Sequence, residues 1–425
     1  MKLMNVKGTY DYMPKDMKIR NNILDILRKN FEKYGYLPLE TPTLNYYELL
    51  SYKYGDDAEI LSEIYRLTDQ GERDLGLRYD LTVPFCKVVG LTKDLVLPFR
   101  RYEIGKVFRN GPVKTGRTRE FFQCDVDVVG IDNRLIETEQ ILMAVNTYKE
   151  LGIDIVVKYN NRKLMSGLIE LAGISQDKKD SVIGIIDKLE KVPFDEIKEM
   201  LEGINISSES IGKLFDLFMK NIDDYKKMMD QNELIHEGVS ELLEVDEYLE
   251  KLGIINKCHF TPTLARGLSI YTGIVFEFYD AAGRISSAIG AGGRYDKIIT
   301  NFMDNGNSYP AVGLSFGLEP IFAILKQEAM QTSLIDIYMV PLDTNVEVLK
   351  LATTLREKGY RVLIEMNKKK VGKCFEYAER ENIKYVMIVG ENEVTSGNYK
   401  IKDMIKKEEY TYTLDELINF LDENK

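Results

Sequence analysis

The sequence predicts an α+β domain built on an antiparallel sheet, split by a helical insertion and followed by a C-terminal α/β domain. Three observations carry this prediction. Between Ile64 and Gly130 short segments of strand character succeed one another without βαβ alternation, which favours antiparallel pairing. From Leu164 to about Leu252 helical spacing is continuous, β-type runs are absent and Pro193 is the only proline. Beyond Thr332 strand and helix alternate. A chain of 425 residues has room for two or three domains, and these patterns place them at 1–163 with 253–327, 164–252 and 332–425.

The chain opens with an amphipathic helix: Ile19, Ile23, Leu27, Phe31 and Tyr34 recur at helical spacing, Asp16 is the expected N-cap and Gly35 the stop. Leu37 to Leu44 is extended, and Pro38 and Pro42, which cannot donate to a ladder, put it at a sheet edge or an interface. Strands follow at Ile64 to Leu67, Leu75 to Tyr79, Tyr102 to Arg109 and Phe121 to Gly130. Next come a helix from Ile136 to Leu151, a strand from Ile153 to Tyr159 and the helical block. Strands return at Phe260 to Thr263 and Ile274 to Tyr279, followed by a glycine-rich turn at Gly290 to Gly293 and a helix from near Gly317. The last domain reads strand 335–340, helix 346–358, strand 361–364, helix 371–380 and strand 385–389.

Composition bounds the chemistry. No apolar run reaches the roughly 18 residues of a membrane span, and the N-terminus lacks a signal-peptide core, so a cytoplasmic protein is expected. The four cysteines are far apart and only His236 and His259 are present, which disfavours a Cys/His metal site and a histidine-based triad. The net charge of −11 is carried by Leu164 to Glu250, whose 21 acidic and 9 basic side chains sum to −12 and leave +1 for the rest, so basic surfaces for phosphates remain possible elsewhere.

Two segments concentrate reactive side chains. In RRYEIGKVFRNGPVKTGRTREFFQCDVDVVG, strand alternation puts Arg101, Glu103 and Arg109 on one face and Gln123, Asp125 and Asp127 on one face of the next strand, around a loop with Lys114, Arg117 and Arg119. The pattern fits an ordinary half-exposed pair of strands. It equally fits a site where arginine forks grip phosphate while carboxylates and an amide hold an ammonium or imidazole group. LARGLSIYTG contributes Arg266 and Tyr271, and AIGAGGRYDKII adds glycines before Arg294, Tyr295 and Asp296; these glycines suit either a tight turn or close backbone approach to a ligand. In PAVGLSFGLEPI small residues lead into a helix whose N-terminus favours an anion.

In this order the segments resemble the class II aminoacyl-tRNA synthetases, and within them the histidyl-tRNA synthetase family, over essentially the whole chain. YLPLETPTL resembles motif 1, FRNGPVKTGRTREFFQCDVDVVG motif 2 and AVGLSFGLEP motif 3, while LRYDLTVP, LARGLSIYTG and AGGRYD resemble the histidyl signatures. The resemblance implies an enzyme that activates L-histidine with ATP and Mg2+ to histidyl-adenylate and pyrophosphate, then transfers histidine to the 3′ end of tRNA(His). It implies Arg266 and Arg109 as catalytic cations, Arg117 and Arg119 as further ATP contacts, and Asp80, Thr82, Gln123, Asp127, Tyr271 and Tyr295 as histidine-binding residues. A class II synthetase-like catalytic domain, an anticodon-binding C-terminal domain with Lys368, Lys369 and Lys370 as local RNA candidates, and a homodimer built on motif 1 are implied with it. Pro320 stands where motif 3 usually ends in arginine, Gly111 replaces the acid of motif 2, and Ser269-Ile270 replace Asp-Tyr. Two alternatives accompany this reading: a non-catalytic relative that regulates ATP phosphoribosyltransferase, which lacks the anticodon domain and degrades the arginine signature this chain keeps, and a tRNA-independent amino acid:carrier ligase.

Overall fold

The computed structural model describes residues 2–424 apart from 53–57, 114–117, 190–191, 267–269, 304, 329–332 and 368. The chain divides into two compact units, 1–10 with 21–324 and 11–20 with 325–425. The first helix, Pro14–Lys33, starts two residues before the expected cap, because proline lacks the N–H that a first turn leaves unpaired; Asp16 lies inside that turn. Gly35 ends it at φ 75°.

Strands in chain order are β1 (Leu37–Pro38), β2 (Leu44–Tyr46), β3 (Arg66–Thr68), β4 (Asp74–Leu77), β5 (Phe99–Phe108), β6 (Glu120–Val129), β7 (Ile155–Asn161), β8 (Cys258–Phe260), β9 (Ile274–Asp280), β10 (Gly290–Arg294) and β11 (Ala311–Gly317). Among the described residues the first unit holds an eight-stranded sheet in the order β1-β5-β6-β11-β10-β9-β7-β8 and a small sheet β2-β4-β3. The large sheet is antiparallel through its centre, as its sequence pattern predicts, and its two edge pairs, β1–β5 and β7–β8, are parallel.

Gly290–Gly293 is not a turn. It is the body of β10, paired on both sides, and the close packing above it explains the glycines. A Cβ at Gly290 would lie 2.5 Å from the Tyr148 hydroxyl, and one at Gly292 would lie 2.2 Å from the Gly313 carbonyl and 2.6 Å from the Phe276 ring. The aromatic face so filled holds Phe31, Tyr148, Phe278 and Phe316, with ring centroids 5.2–5.9 Å apart where Tyr148 meets Phe316 and Phe278. The helix Leu135–Glu150 supplies Tyr148. The opposite face of β5, β6 and β11 carries the polar side chains considered below.

Residues 164–252 are helical with irregular connections, as their spacing predicts. Helices Arg162–Leu171 and Glu233–Lys251 approach so closely that a Cβ at Gly238 would lie 2.4 Å from the Leu164 nitrogen and one at Gly167 2.6 Å from Ile235.

The second unit carries β12 (Ile337–Pro341), β13 (Val362–Ile364), β14 (Tyr385–Val389), β15 (Tyr399–Asp403) and β16 (Glu408–Tyr412), ordered β13-β12-β14-β15-β16. Helices Asn345–Glu357 and Leu414–Glu423 cover one face and Val371–Arg380 the other, each over its own buried cluster. The hairpin β15–β16 and the last helix lie beyond the elements the sequence pattern resolves. No helix among the described residues is long and apolar enough to cross a membrane.

Candidate active site

Register builds the floor of the site. On β6, Asp127 lies between Arg101 of β5 and Gly313 of β11, and Asp125 between Glu103 and Ser315. Alternation then turns Gln123, Asp125 and Asp127 to one side, where they line a cavity of about 260 Å³. The same cavity is lined by Asp80, Thr82, Tyr271 and Tyr295, so all six residues implied for histidine binding converge on it, together with Arg109 and Arg266.

Beneath the cavity lies a buried ionic network. Arg101 is fully buried and pairs with Asp127 at 2.7 Å and Glu103 at 3.7 Å, its guanidinium 4.4 Å above the Phe85 ring. The sequence pattern groups it with phosphate-facing cations, and the structure corrects this: its charge is consumed by the two carboxylates. Burial opposes that charge, but Asp127, Asp125 and Glu103 more than restore it, and the pKa of Arg101 is raised. Arg78, from LRYDLTVP, donates to Glu103 at 2.8 Å and to the Thr41 carbonyl at 2.7 Å, and Thr41 donates its own N–H to Glu103 at 2.9 Å. Motif 1 is thereby tied to the sheet floor.

The Tyr295 hydroxyl donates to Asp127 Oδ1 at 2.5 Å. Gly313 makes this possible, since a Cβ there would lie 2.2 Å from that oxygen. Asp80 accepts the Val83 N–H at 2.9 Å and closes the first turn of the helix Thr82–Leu91, so helix geometry positions both Asp80 and Thr82. Asp125 was visible in the sequence only as one member of an alternating face. Burial, with Asp127 and Asp80 nearby, pushes its carboxyl up to about 7 against the opposing pull of Arg101 and Ser315.

The two lining arginines are held differently. The Arg109 guanidinium lies 4.3 Å from the Tyr79 ring and 5.0 Å from that of Phe121, and its Nε donates to the Tyr79 carbonyl at 3.3 Å. Aromatic faces position it without neutralising it. Arg266 pairs with Glu277 at 2.9 Å and reaches the Tyr271 hydroxyl at 3.5 Å from a left-handed backbone, φ 48°. Burial opposes its charge, and Tyr271 and Glu277 more than compensate, so its pKa is raised.

Other sequence candidates fall elsewhere. Arg119 does not line the cavity: its Nε donates to the Gly111 carbonyl at 3.3 Å and its backbone N–H to Gly8 at 2.8 Å, binding the motif 2 loop to the N-terminal segment. Arg117, Ser269 and Lys368 lie outside the described residues. Arg294 is buried against Glu137 at 2.7 Å, a structural pair. Pro320 sits in the first turn of Leu318–Glu328, where proline costs no hydrogen bond, and Gly317 makes room for its ring; Glu319 already brings a carboxylate to that helix N-terminus. Ile270 lines the cavity with an aliphatic side chain. In the second unit Lys369 is engaged by Glu365 at 2.6 Å.

Residues 8–321 match the family model described as histidyl-tRNA synthetase, and residues 336–424 match the model described as anticodon binding domain. The chain is 43% identical over 426 residues to histidine–tRNA ligase 1 of Bacillus cereus, covering 99% of this chain and 100% of that one. It is 44% identical over 406 residues to histidine–tRNA ligase 2 of Shouchella clausii, covering 94% and 96%. Its fold matches the crystal structure of histidyl-tRNA synthetase from Nostoc sp. with a TM-score of 0.86 at 28% identity, over the full length of both chains.

Proposed function

The chain belongs to the histidyl-tRNA synthetase family, and from that premise we propose how its residues divide the work. It is a ligase that forms an aminoacyl-tRNA, with histidine, ATP and tRNA as its substrates. The observation that carries the residue assignment is the convergence of Asp80, Thr82, Gln123, Asp127, Tyr271 and Tyr295 on one cavity that Arg109 and Arg266 also line.

In the first step a carboxylate oxygen of histidine attacks the α-phosphorus of ATP. A new P–O bond forms, the bond to the bridging oxygen breaks, and its electron pair leaves with pyrophosphate. Negative charge builds on the α-phosphate and on the leaving group, and Arg266 and Arg109, already oriented by Glu277 and by aromatic faces, stabilise it without reorganising. The polar floor meanwhile holds the ammonium and imidazole, which fixes the attacking oxygen. In the second step a hydroxyl of the terminal tRNA ribose attacks the acyl carbon, the bond to AMP breaks, and the hydroxyl proton is lost to solvent.

Arg117 and Arg119 are assigned to the outer phosphates and the tRNA end. Among the described residues no group of three carboxylates or histidines forms a metal cage, so Mg2+, where bound, would be held chiefly through ATP and would supply neutralisation of the phosphate charge. Within this reading 164–252 is an insertion domain and 332–425 takes the anticodon, with RNA contacts confined to local basic positions. A homodimer through the segment Leu37 to Leu44 fits the exposure of the apolar Leu37, Leu44 and Tyr46. The reading also places the enzyme in the cytoplasm.

The test is histidine-dependent exchange of labelled pyrophosphate into ATP, with other amino acids as controls and Arg266→Ala alongside. Exchange with histidine alone, lost in the variant, is the expected result. A folded protein that binds histidine and exchanges nothing would move the regulatory alternative to first place, and product formation without tRNA would favour the carrier ligase.

A further inference from the structure

Three carboxylates line the amino-acid cavity, and they are not equivalent. Asp127 accepts the Tyr295 hydroxyl on Oδ1 at 2.5 Å, and its Oδ2 is ion-paired with Arg101 at 2.7 Å. Asp80 is committed to the Val83 N–H at the start of a helix. Asp125 is 5% exposed, receives the Ser315 side chain on one side, and leaves Oδ1 without a hydrogen-bond partner among the described residues. Its neighbours on every adjoining element are Arg101 and Glu103 on β5, Asp127 on its own strand, Ser315 on β11, and Asp80 ahead of the helix Thr82–Leu91. Arg101 and Arg78 are paired with Asp127 and Glu103, and among the described residues Asp125 has no ion pair of its own, although the Arg101 charge acts on it. A buried carboxyl on the cavity wall with one unpartnered oxygen and no ion pair of its own is poised to receive a donor from a ligand.

We propose that Asp125 is a contact residue of the amino-acid site, whose open oxygen accepts a hydrogen bond from a protonated nitrogen of the bound amino acid and which releases a proton to solvent as that nitrogen arrives. This rests on the cavity being the histidine site. The balance is simple: the acid form in the empty cavity, which burial and the neighbouring carboxylates favour, gives way in the liganded cavity to the carboxylate paired with N–H, and the proton that the empty site carried goes to the buffer. Asp125 thereby becomes a selectivity element, favouring amino acids with a donor nitrogen over isosteric side chains that have none.

Titration calorimetry of the full chain with L-histidine at pH 7, in buffers of different ionisation enthalpy, reads this proton directly. The wild type is expected to release about half a proton more per histidine than Asp125→Asn, because an acid titrating near 7 is about half protonated there. The ligand's own imidazole titration is common to both and cancels. Asp125→Asn is also expected to bind histidine at least about tenfold more weakly, the cost of losing one charge-assisted hydrogen bond. Ser315→Ala, which removes the hydroxyl that favours the ionised form, is expected to release more protons than the wild type, and it carries the test should Asp125→Asn not fold. Equal proton release and equal affinity in wild type and Asp125→Asn, or unchanged release in Ser315→Ala, overturns the proposal while leaving the histidine site standing. A wild type that binds no histidine overturns both.

Discussion

Arg266 and Glu277 form an ion pair at 2.9 Å that joins a left-handed loop residue to the middle of β9. Register continues the row from Glu277 through Ala291 and Ser315 to Asp125, three interstrand spacings or about 14 Å, so the partner of the cation proposed for phosphate and the acid proposed for the amino acid share one transverse row of the sheet. Glu277 acts through Arg266 and is a positioning residue. Glu277→Gln is expected to lower kcat of pyrophosphate exchange about tenfold, roughly 1.4 kcal/mol of transition-state stabilisation, with KM for histidine nearly unchanged. A proportionate rise in KM would show that Glu277 holds the amino acid instead.

Arg78 and Glu103 are 4% and 1% exposed and bonded at 2.8 Å. Arg78→Met leaves Glu103 buried with the more distant Arg101, at 3.7 Å, as its ion-pair partner, and such truncations cost about 3–5 kcal/mol. Denaturant unfolding of the variant is expected to show a loss of that size with little change in slope.

At Gly313 the smallest possible side chain is required. In Gly313→Ala the new methyl would lie 2.2 Å from Asp127 Oδ1 and 3.0 Å from the Tyr295 ring. The Tyr295–Asp127 hydrogen bond must then shift, so KM for histidine is expected to rise at least about tenfold, with overpacking costing roughly 1–3 kcal/mol of stability. Retained KM would mean that this pair does not shape the amino-acid pocket.

Stability should depend on pH through Asp125. Its carboxyl is raised from 3.8 to about 7, so the folded chain keeps a proton that the unfolded chain has lost. The contribution is therefore present in full below about pH 4 and disappears as pH rises through 7, a change of roughly 3–4 kcal/mol over that window. Asp125→Asn is expected to flatten this part of the profile, and thermal melts of both proteins between pH 5 and 8 measure it.

Much of this architecture is written locally. The helix at Ile19 to Tyr34, the strands flanking the motif 2 loop and the helix Val371–Arg380 with the strand Tyr385–Val389 follow from apolar periodicity alone, because each buries one continuous face. Gly290–Gly293 misleads, since glycine carries no side-chain period and its usual use is in turns; only the aromatic rings packed over β10 make it a strand. The hairpin β15–β16 is masked by charges and tyrosines, half exposed on its sheet.

By itself the sequence determined the helical block, the antiparallel character of the sheet, the family, and the set of polar residues available for chemistry, all of which depend on spacing and residue type. The tertiary structure decided how those residues divide. Arg101 and Asp125 sit on faces that look equally exposed in an alternating pattern, yet register buries Arg101 between two carboxylates and leaves Asp125, on the cavity wall, with one oxygen unpartnered. Which charge is spent inside the fold and which is left for a ligand depends on the neighbouring strand, and that neighbour is set by distant segments of the chain.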